Sequence, residues 1–542
     1  MRGFWCYIAH RSYFYVLIEG SRGVIRSRRV SRVGWRDNSN VWLLTSRGPD
    51  LQVWDLIVVG AGVAGASFAY EQGQRGRRVL LIERDLKQPD RIVGELLQPG
   101  GYMALKSLGL ESCVDGIDSQ KVYGYCMFKN GEEAKVGYPL KGMGEDVAGR
   151  SFHHGRFVQK LRQAASACPT VTVRQGIVKR LINDKGEDWE EGQVVTGVKY
   201  KASVDGMDKV ALAHLTIVCD GMYSSFRSKL GKSDIKHPSY FVGLLLKDVK
   251  LPHSNYGHVV LASPSPVLFY PISSTEVRCL VDYPGEKLPP MTSGALHEYL
   301  LEKIAPQVPE GLQNAFRKAV GEGRIRTMQN KQLTCAPLHQ PGALLLGDSF
   351  NMRHPLTGGG MTVALSDTLL LCKMLQPLPN FNSSIETCDA TSAFYVKRKP
   401  LSATVNTLAN ALYRVFCSTG STAQEEMRQA CFDYLKLGGM YSAGPVSLLS
   451  GLNPRPSVLV AHFFMVALYG VGRLLLPRPS IRGVVSSISL IYTACCIILP
   501  IIKSEGIRAV FFPFLTRKPM PTSSLRKAAS QVSLNLVKHK SA

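Results

Sequence analysis

Residues 55–65 read DLIVVGAGVAG, and residues 79–83 read VLLIE. The first run is apolar and closes on Gly60, Gly62 and Gly65; the second ends in a carboxylate, Glu83. This spacing describes a dinucleotide pocket. The first glycine permits a tight strand-to-helix turn, the second lets a pyrophosphate approach the backbone, and the third lets the helix pack closely on the sheet. Unpaired amides at the helix start then face the phosphates. Glu83 lies where a carboxylate at the end of the second strand accepts hydrogen bonds from a ribose hydroxyl.

Two later stretches extend the pattern. TIVCDG at 216–221 is an apolar strand ending in Asp220 and Gly221. ALLLGDSFNMRHPLTGGGMTVALSD at 343–367 places Asp348 at another strand end, followed by Pro355, Gly358, Gly359, Gly360 and Met361 at the start of a helix. A glycine-led helix N-terminus can set amides against an extended cofactor or an electron-rich ring oxygen. The ordered series points to FAD rather than NAD.

Between these motifs, strands are expected near 122–138, 171–178, 194–201 and 210–219, and HVVLAS, VLFYPIS and VRCLVDY look like strands of a separate antiparallel sheet. A long helix is expected over about 361–376. The predicted fold class is α/β (α+β overall): a Rossmann-type FAD domain, an inserted mixed or antiparallel sheet and C-terminal membrane-associated helices. The expected boundaries are a basic extension at 1–50, a discontinuous FAD domain at 51–236 and 336–380, a substrate domain at 237–335, a helical segment at 381–445 and a hydrophobic C-terminal region at 446–542. The strands near 120–140 are allowed to join the substrate sheet.

At 542 residues with 45% hydrophobic and 20% charged content, the chain can bury at least two cores and is not a disordered protein. Its net charge of +24 is spread along the sequence without an aromatic-interleaved basic motif, which favours a membrane surface over nucleic acid. Thirteen cysteines without a CxxC pair argue against a zinc site and a disulfide framework, and no metal is expected. The first 50 residues hold nine arginines and three acids, a composition that suits either an organellar presequence or a basic extension on anionic lipid. From Gly483 to Ile502 twenty residues carry no charge, long enough to cross a hydrocarbon core; 458–472 and 509–515 are shorter apolar runs. Prolines at 477, 479, 500 and 513 are expected to divide these runs, and a helical hairpin dipping into one leaflet is preferred to a single span. Deleting 445–542 is expected to leave a soluble flavoprotein.

The motifs resemble FAD-dependent monooxygenases of the aromatic-hydroxylase type. The stretches 83–102, 149–162 and 347–367 closely resemble the squalene epoxidase family. The resemblance implies insertion of one oxygen atom from O2 into squalene to give (S)-2,3-oxidosqualene, with NADPH-cytochrome P450 reductase as electron donor and attachment to the endoplasmic reticulum membrane. It assigns Gly60, Gly62, Val63, Ala64 and Gly65 to the pyrophosphate turn, Glu83 to the adenosine ribose, the neighbouring Arg84 together with Arg91, Arg162 and the backbone at Val178 to further FAD contacts, Asp348 to the pyrophosphate side, and Met361 with the triple glycine to the flavin ring. It makes Tyr125 an active-site hydroxyl and Gln98 its hydrogen-bonding partner. Without it, Tyr125 would be a core strand aromatic and Arg91 and Arg162 a solvated helix face. Another flavin enzyme of the same fold, hydroxylating or reducing a different polyprenyl lipid of ubiquinone-pathway or geranylgeranyl type, is the alternative.

Overall fold

The computed structural model describes residues 53–140, 147–338, 340–418 and 420–512, together with residues 9–10, 13–14 and 530. The expectations for the basic extension and for the tail after residue 512 fall outside the described residues.

Three apolar runs that lack alternation, Val79–Glu83, Val53–Val59 and the second half of Asp208–Val218, form the centre of a six-stranded sheet, as both-face burial requires. Its order is Gly197–Ala202, Val171–Ile182, Val79–Glu83, Val53–Val59, Asp208–Val218, Ala343–Leu345. The last five pair in parallel, and Gly197–Ala202 closes one edge as an antiparallel strand that also meets the start of Asp208–Val218. The helices Val63–Gln74 and His154–Ser166 supply crossovers within it. Leu56, Ile57, Val58, Leu80, Leu81 and Ile217 are fully or almost fully buried in its core.

A seven-stranded sheet is inserted between Asp208–Val218 and Ala343–Leu345. Its order is Arg326–Pro337, Gly231–Lys247, Glu276–Pro284, Val267–Pro271, Gly257–Val260, Gly124–Lys129, Glu132–Gly137. All its pairings are antiparallel except Gly257–Val260 on Gly124–Lys129. The hairpin at 124–137 thus joins this sheet from an earlier part of the chain, across a parallel edge that needs a long crossover.

The expected helix near 361–376 is Gly360–Leu375. Beyond it, Lys399–Phe416, Thr422–Lys436 and Met440–Leu449 pack over one face of the second sheet, followed by the apolar helices Pro456–Leu475 and Ile481–Glu505. Pro500 lies inside the second of these apolar helices instead of ending it, in its final turns. Both apolar helices are long enough to cross a membrane, yet each buries one side: Val466, Ala467, Leu490 and Ala494 belong to the same core cluster as Tyr125 and Phe241. The expectation that 445–542 is dispensable for a soluble fold is therefore corrected. Among the described residues of that stretch, Val446, Leu448, Leu459, Val466, Leu490 and Ile498 complete a core instead of decorating one.

Candidate functional site

The glycine turn divides its labour by geometry. Gly60 has φ +97°, and a Cβ there would lie 2.5 Å from the Cys219 carbonyl oxygen. A Cβ on Gly65 would run into the Gly60 carbonyl, while one on Gly62 would meet nothing within 4 Å. Backbone therefore closes on two of the glycines and leaves open space at the middle one, in front of a helix start with no side-chain cap. That open cradle fits a pyrophosphate.

Glu83 is held at this turn: its Oε2 accepts from the Ala61 amide at 2.6 Å and its Oε1 from the Asp85 amide at 3.2 Å. Arg162 is buried instead of lying on a solvated face. Its Nε donates to the Ala61 carbonyl at 2.8 Å, its Nη1 to Lys87 O at 3.0 Å, and its Nη2 stands 3.6 Å from Glu83. Arg84 and Arg91 are exposed, and Val178 is half-buried in register with Tyr200. The charge of Arg91 adds to burial in pushing the neighbouring His154 down to about 4.

The two later motifs converge on the same helix start. Gly347 has φ +73°, and a Cβ there would touch Ala64 Cβ at 3.1 Å, so the Asp348 loop abuts the glycine turn. The Asp348 carboxylate is exposed, whereas its carbonyl accepts from Arg227 at 2.9 Å. Asp220 accepts from the Ser225 amide at 2.9 Å through Oδ2; its Oδ1 is buried with no hydrogen-bond partner among the described residues, and burial raises its pKa. An unmet buried acceptor beside Gly221 is what a bound group with a hydroxyl donor would satisfy. These features fit FAD.

Pro355 opens a short 3₁₀ turn ending at Gly358, φ +62°, and Gly359 is pressed against Val405. Gly360 begins a helix with no side-chain cap, and the Met361 side chain packs inward in a cluster with Leu97, Tyr102 and Phe157. Gln98 reaches this loop. Its Nε2 donates to the Thr357 carbonyl at 2.7 Å and, through a short hydrogen bond, to the Tyr125 hydroxyl; its Oε1 accepts from Tyr138 Oη at 2.6 Å. Burial raises the pKa of Tyr125. The hydroxyl therefore stays protonated at neutral pH.

Tyr125 and Thr357 stand at one end of an apolar cavity with about 1030 Å³ of empty space, part of it open to the outside. Met127 and Val259 of the second sheet, Ala411 and Phe416, Val446, and Leu459 and Val466 form its walls. His462 supplies a polar group on the wall formed by the first apolar helix, and Tyr434 Oη lies 2.9 Å from its Nδ1.

Three residues of the site were not singled out from the sequence. Tyr138 completes the Gln98 amide; Arg353 donates to the Gly359 and Gly360 carbonyls at 3.3 and 3.2 Å; His354 anchors the loop from below. For two of them the sequence offered the pair Arg353–His354 directly ahead of Pro355 and the triple glycine.

Comparison with known proteins agrees with this geometry. Residues 212–488 match the family model for squalene epoxidase. Squalene epoxidase 3 of Arabidopsis thaliana is 53% identical over 506 residues, covering 92% of this chain and 94% of its own length. Squalene monooxygenase SE1 of Panax ginseng is 55% identical over 459 residues, covering 85% and 84%. Among solved structures, pqsL, a probable FAD-dependent monooxygenase from Pseudomonas aeruginosa, superposes with a TM-score of 0.53 at 19% identity over 67% of this chain and 96% of its own; that likeness establishes the fold. The architecture and cofactor cradle are those of an FAD-dependent monooxygenase. Within that class, the chain belongs to the squalene epoxidase family.

Proposed function

We propose that this protein epoxidises squalene at a terminal double bond, using FAD and O2, and releases 2,3-oxidosqualene. The observation that carries the reading is the position of the Gln98–Tyr125 pair, between the glycine loop of a flavin cradle and a large apolar cavity that opens partly to the outside. The chemistry that FAD supplies when bound is acceptance of two electrons, activation of O2 and delivery of one oxygen atom, while the second oxygen leaves as water.

The chain's own residues bind, orient and dry the site. Gly60, Gly62, Gly65, Glu83, Arg162 and the helix start at Val63 would hold the adenosine and pyrophosphate half; Asp220, Asp348 and the Gly358–Gly360 loop would hold the ribityl and ring half. Tyr125 keeps its proton, and Gln98 donates to its oxygen, so the hydroxyl proton is not spent on Gln98 and can be offered towards the cavity. The apolar walls orient a hydrocarbon by exclusion of water, since no polar handle on squalene exists to be gripped.

The apolar helices suit attachment to the cytosolic face of the endoplasmic reticulum membrane. Leu468, Val485, Ile488, Tyr492 and Leu499 are exposed on them, with Arg473 in the last turn of the first, Arg478 in the connection and Arg482 at the start of the second. One face buried in the protein and one apolar face exposed suit a pair lying in one leaflet better than a span. Electrons would come from NADPH through a cytochrome P450 reductase.

The test is an assay of detergent-solubilised protein with FAD, NADPH, the reductase and squalene, with and without O2. A product one oxygen heavier than squalene, dependent on both O2 and the reductase, is expected. A reducible flavin with no squalene product would overturn the substrate and direct attention to another polyprenyl lipid.

A further inference from the structure

The loop that carries Pro355 to Gly360 is fixed by a buried chain of polar groups outside the cofactor cradle. His354, Ser239 and Asp282 are all fully buried. His354 Nδ1 accepts from the Leu356 amide at 3.2 Å. Only an unprotonated ring nitrogen can accept, so the imidazole proton sits on Nε2. That nitrogen lies 2.9 Å from Ser239 Oγ, and Ser239 Oγ lies 2.6 Å from Asp282 Oδ1. The order of protons is then determined: Nε2–H donates to Ser239, and Ser239 O–H donates to Asp282. Asn330 Nδ2 donates to Ser239 Oγ at 2.9 Å and to Asp282 Oδ1 at 3.1 Å, and Ser265 donates to Asp282 Oδ2.

The same imidazole is held from two further directions. It stacks on Tyr413 with ring centroids 3.8 Å apart and meets Phe241 edge-on, while the His354 amide donates to Asn410 Oδ1 at 3.2 Å. The second sheet and the Lys399–Phe416 helix thus grip one loop residue. Three positions further on, the Thr357 carbonyl takes Gln98 Nε2. That contact decides the orientation of the Gln98 amide, because a carbonyl only accepts and the reversed amide would set oxygen against oxygen at Thr357, whereas the Tyr138 hydroxyl can donate or accept. The amide orientation in turn decides that Tyr125 Oη accepts.

We propose that His354, with Ser239 and Asp282 behind it, is a positioning residue for the oxygenation step: it sets the Thr357 carbonyl, and through Gln98 the aim of the Tyr125 hydroxyl. Both His354 nitrogens, Ser239 Oγ and both Asp282 oxygens are engaged, and a buried network so occupied rigidifies one geometry, where an apolar core would supply only burial; Asn330 Oδ1 alone of these atoms lacks a partner among the described residues. The inference rests on the monooxygenase reading for its turnover measurement only.

Three variants test it: Ser239→Ala cuts the chain, Ser239→Thr keeps the hydroxyl, and His354→Asn keeps an acceptor for Leu356 while losing the Nε2 donor. Each is purified with FAD and compared for melting temperature, visible flavin spectrum, kcat and KM for squalene, and hydrogen peroxide released per NADPH consumed. Ser239→Ala and His354→Asn are expected to keep FAD, shift the flavin spectrum, lose about tenfold or more in kcat with KM little changed, and release more peroxide; Ser239→Thr should recover most of the loss. A wild-type spectrum and kcat in Ser239→Ala and His354→Asn would overturn the proposal. So would equal losses in Ser239→Thr and Ser239→Ala. If the unmodified protein reduces its flavin yet leaves squalene unchanged, the substrate reading fails, and the spectral comparison still decides whether the chain orders the loop.

Discussion

The Ala61 amide donates to Oε2 of Glu83 at 2.6 Å, so the carboxylate at the end of the second strand holds the glycine turn with one oxygen. Arg162 takes the carbonyl of the same residue, and both polar groups of Ala61 are fixed by side chains from elsewhere in the chain. Glu83→Gln weakens that bond and, on the proposed binding of the adenosine half by Glu83, the grip on a ribose hydroxyl with it. FAD affinity is expected to fall about 10- to 100-fold, the equivalent of roughly 1.5–3 kcal/mol for a hydrogen bond to a charged group. Fluorescence titration of the apoprotein with FAD measures it.

Gly62 and Gly65 should fail in different ways. Gly62→Ala meets no protein atom, and its φ of −80° suits any residue, so the fold is expected to survive with FAD content sharply reduced. Gly65→Ala drives a methyl into the Gly60 carbonyl and is expected to give insoluble or unfolded protein. Flavin content measured beside a thermal melt separates the two.

Tyr125→Phe removes a hydroxyl that touches the cavity while leaving the ring in its packing with Tyr138, 5.9 Å away and edge-on. Turnover is expected to fall at least tenfold with FAD content unchanged. Equal activity would remove Tyr125 from the chemistry.

Truncation before residue 445 strips Val446, Leu459, His462 and Val466 from the cavity wall and uncovers the core beneath. The shortened chain is expected to aggregate and to lose squalene turnover. A monodisperse, fully active truncated protein by size-exclusion chromatography and assay would contradict this.

The nucleotide-binding unit was legible because its signal is local: strand, three glycines, helix and carboxylate fall within about thirty residues, each with a steric reason. The second sheet was legible only in pieces. Its strand Gly231–Lys247 carries charged and polar residues in its first half, and its edge hairpin arrives from residues 124–137, before the cofactor sheet is complete. The polar contacts of the site are less local still. Tyr138 and Gln98 are 40 residues apart, and His354 and Ser239 are 115 apart; neither propensity nor periodicity reports such a pairing. Resemblance led to Tyr125 and Gln98, but not to the groups that orient them. Arg162 shows the limit of surface reasoning, since an arginine at helical spacing turned out to be an internal brace for the turn.

Acid should loosen the structure through His154. Burial pushes this ring down to about 4, and its Nδ1 donates to the Gly94 carbonyl, 2.8 Å away. The unfolded chain binds the proton below its ordinary value near 6.5, the folded protein only below about 4. The stability from keeping the ring neutral is therefore present above 6.5 and lost as pH falls from 6.5 towards 4, at up to about 1.4 kcal/mol per pH unit. His154→Asn should flatten part of that slope in denaturant melts at stepped pH; an unchanged slope would place the sensitivity elsewhere.

The helices that wall the cavity also carry the exposed apolar face, so on the proposed attachment the substrate's route has no aqueous leg. The relevant concentration is then a mole fraction in the lipid, and diluting a fixed amount of squalene with inert detergent or phospholipid should slow the enzyme although nothing in the bulk solution has changed.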